Sequence, residues 1–172
     1  MWTRLGVAVV LSMLMAGTAL ADDLTAAHPV PLGDQAVADA SHKATGMLDD
    51  FLSKLDNPPP NTSAYAVKLG LVDKGDGYAF TSDVSMPGVE YFWIVDIHRT
   101  PDGFVGTLGD DPETIKNVKS GQQIQFTRSD IFDWLYIDGN KMIGNFTACP
   151  VLREGPIENL KQYEAQTGAS CE

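Results

Sequence analysis

Asn57-Pro58-Pro59-Pro60-Asn61-Thr62-Ser63-Ala64-Tyr65-Ala66-Val67-Lys68-Leu69-Gly70-Leu71 is the stretch on which the fold turns, because the apolar period changes across it. Upstream, Val37, Ala40, Ala44, Met47, Leu48, Phe51 and Leu55 recur at three- and four-residue spacing. That spacing predicts one amphipathic helix over about 34–55. Gly33-Asp34 can cap its start, and the prolines stop it, since proline lacks an amide hydrogen and restrains the residue before it. Downstream, Tyr65, Val67, Leu69 and Leu71 alternate with Ala66, Lys68 and Gly70, the period of a half-buried strand.

The period of two persists to the far end of the chain. Lys74-Gly75-Asp76-Gly77 reads as a turn, with Tyr78-Ala79-Phe80 beginning a return strand. Glu90-Tyr91-Phe92-Trp93-Ile94-Val95-Asp96-Ile97 is rich in aromatic and β-branched residues and reads as a central strand. Thr100-Pro101-Asp102-Gly103 turns it back into Phe104–Leu108. Asp110-Asp111-Pro112-Glu113 reads as the start of a short helix or a turn. Gln123–Thr127 alternates cleanly, and Ile131–Ile137 and Met142–Phe146 flank an Asp138-Gly139 hairpin signal. Pro156 opens a last helix with Ile157, Leu160 and Tyr163 on one face, ended by Gly168. The expectation is an α+β domain, with an antiparallel β-sheet of about six strands, an N-terminal amphipathic helix and a short C-terminal helix.

Residues 1–21 read as a cleavable signal peptide. Arg4 precedes an apolar run from Leu5 to Ala16, and Ala19-Leu20-Ala21 gives the small-x-small pattern before the cut. The run is too short to span about 30 Å of hydrocarbon. Cleavage after Ala21 predicts a periplasmic or secreted protein without membrane insertion. Residues 22–33 read as a flexible leader, and 34–172 as a single globular domain. Cleavage removes Arg4 and takes the formal charge from −11 to −12. Such a surface repels nucleic acid and anionic lipid and favours basic partners or cations, the plainer alternative being solubility alone. Cys149 and Cys171 are the two cysteines, and an exported chain meets an oxidising compartment, so they are expected to pair.

Several motifs of the strand region stand in a familiar order. They are Ala66-Val67-Lys68, Glu90-x-x-Trp93-Ile94-Val95, Gly106-Thr107-Leu108 followed by Pro112, and Lys119-x-Gly121. Ser129-Asp130-Ile131-x-Asp133-Trp134-Leu135-Tyr136 is the strongest block, followed by Gly144 and Thr147. Over about 65–152 the chain resembles the domain-of-unknown-function 2314 family of YegJ-like bacterial proteins. It departs from that pattern near Cys149-Pro150, where a basic residue is expected. The resemblance implies a small, mostly antiparallel α+β unit and contributes no activity. Related bacterial domains that act as immunity proteins against toxins are an analogy only.

Asp130, Asp133 and Trp134, with Glu90 and Trp93, are the candidate binding residues. Two carboxylates at the start of a strand can share a cation or a proton. The plainer alternative is that Asp130 caps a turn, Asp133 faces solvent and the tryptophans fill the core. No catalytic residue, cofactor or metal site is assigned: His28, His42 and His98 lack ligand spacing, and Asp73-x-x-Asp76-Gly77 misses the oxygen pattern of a calcium loop. The sequence therefore favours a non-enzymatic binding, inhibitor or immunity-type protein with a basic partner, such as a toxin or an envelope enzyme. The competing expectation is a cell-envelope hydrolase using Glu90, Asp130 and Asp133.

Overall fold

The structure is a computed structural model that describes residues 33–171, so the signal peptide and its cleavage site lie outside the described residues. At its centre is β1 (Thr62–Lys74), paired antiparallel with β3 (Glu90–Thr100) on one edge and with β6 (Ile131–Asp138) on the other. β2 (Gly77–Phe80) folds back onto β1 from Leu71 onward, beyond the point where β6 leaves it. β4 (Gly103–Leu108) and β5 (Gln123–Phe126) extend the β3 side, and β7 (Lys141–Gly144) extends the β6 side. The result is a seven-stranded antiparallel sheet of order β5-β4-β3-β1-β6-β7, with β2 beside β1.

Alternation divides the side chains between two faces. Val67, Leu69, Leu71, Phe92, Ile94, Leu108, Ile124 and Trp134 form the main core. Ala66, Trp93, Leu135 and Met142 pack on the other face with Tyr163. A register shift between Lys68 and Leu69 sets Leu69 opposite Ile131 but Lys68 opposite Asp133, leaving Phe132 as the extra residue of a bulge. Bulges re-aim side chains. This one keeps Ile131 in the main core while turning Asp133 toward Lys68.

The single helix expected over 34–55 is two helices, α1 (Gln35–Gly46) and α2 (Leu48–Asp56). Met47 lies outside helical geometry, at φ −104° and ψ 7°, directly after Gly46, whose missing side chain makes helix continuation costly. Asp34 caps α1 by accepting from the amides of Ala36 and Val37. The break lets the helices serve different surfaces. α2 lays Leu48, Phe51 and Leu52 on the main core. α1 runs beside the part of β6 that β7 leaves open, since β7 pairs only with Leu135–Asp138. There the Ser41 hydroxyl donates to the Phe132 carbonyl at 2.7 Å, and Trp134 Nε1 donates to the Ala44 carbonyl at 2.8 Å. The Phe132 carbonyl on the open strand edge is thus met by a donor from the helix beside it.

Residues 110–113 start no helix. The loop joining β4 to β5 is strapped to the sheet by two carboxylates. Glu90 accepts from the amides of Glu113, Thr114 and Ile115, and Asp73 accepts from those of Lys116 and Asn117. Ile115 and Val118 then enter the core. After β7 comes α3 (Ala148–Arg153), which the sequence did not announce, and α4 (Ile157–Thr167) follows. Gly168 ends α4 in the left-handed region at φ 64°. Cys149 and Cys171 are bonded. Because Cys149 lies in α3, the bond ties the chain beyond α4 to a neighbouring helix rather than to the end of the last strand.

Candidate functional site

Lys68 stands at the middle of the sheet, opposite Trp93 on β3 and Asp133 on β6. Strand alternation puts all three side chains on the second face. The Lys68 ammonium lies 4.5 Å from the centroid of the Trp93 ring, 2.8 Å from Thr147 Oγ1, 3.4 Å from Asn145 Oδ1 and 4.0 Å from Asp133 Oδ2. Asp133 is fully buried and accepts four hydrogen bonds. The Trp134 and Phe146 amides reach Oδ1 at 2.8 and 3.3 Å, and the Thr147 amide and hydroxyl reach Oδ2 at 2.9 and 2.7 Å. Asn145 turns the chain at φ 52° and donates from Nδ2 to the Tyr163 hydroxyl at 3.2 Å.

Burial holds the Lys68 ammonium below its ordinary pKa, against the upward pull of Asp133 and Asp110. Burial also pushes the Tyr163 hydroxyl up to about 12. Asp110 is raised chiefly by burial, and its Oδ2 is enclosed without a hydrogen-bond partner among the described residues. The chemistry this arrangement supports is cohesion. One buried cation and one saturated carboxylate clasp β1, β3 and β6 to the turn after β7.

The five residues singled out from the sequence have different environments. Trp93 and Asp133 meet around Lys68. Glu90 is occupied by the loop amides, with a further bond from the Thr114 hydroxyl. Burial works to raise its pKa, but the bonds from residues 113, 115 and 114 outweigh that, and it is lowered. Asp130 closes a capping box on the short 3-10 turn Arg128–Asp130, accepting from the Thr127 amide at 2.7 Å. Trp134 points into the main core, 1 % exposed, stacked on Phe51 at 5.0 Å. Glu90, Asp130 and Asp133 therefore bind three separate sets of partners. The expectation of a solvent-facing Asp133 is corrected: the bulge turns it inward and the Thr147 turn closes over it. No group of three or more His, Cys, Asp or Glu that could hold a metal exists among the described residues. Lys68 and Thr147 were not singled out, although both belong to the motifs quoted for the resemblance. A lysine set between Val67 and Leu69 was the signal.

A second feature lies at the end of the main-core face. A groove of about 660 Å³ runs between α2 and the β3–β4 turn, with Thr127 and Arg128 at one end. Leu52 and Phe104 contribute to its lining, and Asp49, Asp56, Asp102, Arg99 and Arg128 supply its charge. Arg99 grips Asp56 through two hydrogen bonds of 2.5 and 2.8 Å, while its guanidinium lies 5.0 Å from the Phe104 ring centroid. Arg128 pairs with Asp49. Each arginine holds its aspartate below the usual carboxylate range.

Comparison with known proteins finds a match over residues 34–170 to the family described as "Uncharacterized protein conserved in bacteria (DUF2314)". The chain is also similar to "Uncharacterized protein YegJ" of Escherichia coli (strain K12), at 30% identity over 132 residues, covering 77% of each chain. No solved structure matches the chain.

Proposed function

Since the chain belongs to the DUF2314 family, whose description names no activity, we propose a function read from its own surface: an exported, non-enzymatic binding protein whose acidic exterior engages a basic partner. The observation that carries this reading is the separate engagement of Glu90, Asp130 and Asp133 by amides and hydroxyls of the chain itself. A hydrolase of the two-carboxylate kind needs its pair facing one substrate position. These carboxylates serve as loop clamp, turn cap and buried clasp. The surplus of 23 Asp and Glu over 12 Lys and Arg supports attraction of a cationic protein at long range.

The test is capture from a periplasmic extract on the immobilised chain, eluted by rising salt. The screening length falls from about 30 Å at 0.01 M to about 8 Å at 0.15 M. One or a few basic proteins should leave the column over that range, with an association rate that drops more steeply than the dissociation rate rises. Capture indifferent to salt overturns the proposal. So does hydrolysis of an envelope polymer by the purified chain that is lost in Glu90→Gln or Asp130→Asn.

A further inference from the structure

We propose that the groove between α2 and the β3–β4 turn is where the basic partner is held, and that it takes an arginine side chain from an exposed loop or terminus of that partner. The inference rests on the binding reading above and gives it a place and a chemistry.

The argument begins with what the groove already does. A guanidinium is flat, carries donors in a fixed fork, and is recognised by an aromatic face together with a carboxylate that accepts two parallel bonds. Arg99 has that environment, with the Phe104 ring beneath it and both Asp56 oxygens in front. The chain's own arginine thus occupies one guanidinium site in the groove. Arg128 on Asp49 occupies a second position at the other end of α2.

Both native pairs are weakly held. The Arg99 and Asp56 side chains are 52% and 35% exposed, and those of Arg128 and Asp49 are 51% and 86% exposed. Ion pairs this open contribute little against water, so exchanging an internal arginine for an incoming one costs little. Asp102 breaks the symmetry. It lies in the groove lining on the β3–β4 turn, and among the described residues it has neither an ion pair nor a hydrogen bond. Three carboxylates therefore share two arginines, and Asp102 is the one left facing water without a cationic partner. The space is of ligand size. A partner arginine entering the groove can pair with Asp102 and share Asp56 with Arg99.

The probes are a hexa-arginine peptide and a hexa-lysine peptide, titrated into the isotope-labelled chain and followed through its amide resonances. Shifts should concentrate in 49–57, 99–104 and 127–128, and the arginine peptide should bind more tightly than the lysine peptide. Asp102→Asn should weaken the arginine peptide by up to about fivefold, the equivalent of an exposed charge pair. Asp76→Asn, on the β1–β2 turn, should leave it unchanged. Equal weakening by both variants, or shifts spread across every acidic surface, overturns the proposal. Tighter binding of hexa-glutamate would make the arginines an anion clamp and also overturns it. Shifts at the same residues on concentrating the free chain would assign the groove to a second copy, with the same consequence. If salt-released capture of a basic protein survives both Asp102→Asn and Asp56→Asn, the groove assignment falls while the binding reading stands. If no basic protein is captured at all, the binding reading itself falls.

Discussion

Asp133 and Lys68 share one clasp but are not equal members of it. Asp133 has four donors from the chain besides the lysine, whereas Lys68 depends on Thr147, Asn145, Asp133 and the Trp93 ring. Asp133→Ala strands a buried ammonium and several amide donors, so it should cost about 3–5 kcal/mol in denaturant unfolding. Lys68→Met leaves the carboxylate its four bonds and should cost distinctly less. Equal losses would show that the ion pair dominates rather than the amide cradle. Glu90 gives a pH-dependent counterpart. Its folded pKa lies below the ordinary 4.5, so its contribution is complete above that value and disappears as pH falls through the folded value. Glu90→Gln should therefore destabilise by about 1–3 kcal/mol at neutral pH, and the gap from wild type should close in acid. A gap constant from pH 7 to pH 3 would remove the charge from the explanation. The inward turn of Asp133 was not legible in the sequence, because it depends on a one-residue bulge opposite Lys68. The capping role of Asp130 was legible as the plainer alternative, and Thr127 and Asp130 have the spacing of a capping box.

At the scale of elements, α4 is lightly anchored. Thr167 is its one buried residue, and Ile157, expected on its apolar face, is 53% exposed. Its hold on the molecule comes from Tyr163, from the Glu164 carboxylate accepting the Cys171 amide, and from the disulfide. The bond closes a sequence separation of 22, for which loop entropy gives ~3 kcal/mol at most in practice. The double variant Cys149→Ala/Cys171→Ala should lose amide-exchange protection across 157–167 while the sheet keeps its own. Unchanged protection there would mean that Tyr163 alone suffices. The strands were legible because their period is local. The helix break at Met47 was not, because the apolar stripe continues through it from Ala44 to Leu48 and Phe51. What separates α1 from α2 is the pair of surfaces they cover, the β6 edge and the main core. α3 was hidden by its length of six residues, too short to show a period.

For the whole molecule, the class of fold was legible in the change of period after Pro60, and the pairing order was not. Hairpin signals join neighbours in sequence, as they do for β3 with β4 and β6 with β7. No local signal states that β1 lies between β3 and β6, and that placement builds the clasp. It also sets an order of events during synthesis. Ribosomes make the chain from its N-terminus, so β1 is complete long before Ile131–Asp138 exists to close its second edge. Through that interval the Thr62–Leu69 part of the strand, carrying Val67 and Leu69, has one flank without a partner. An open edge of that kind can pair with strands of other chains, and its closure waits on the segment that also brings Asp133 to Lys68.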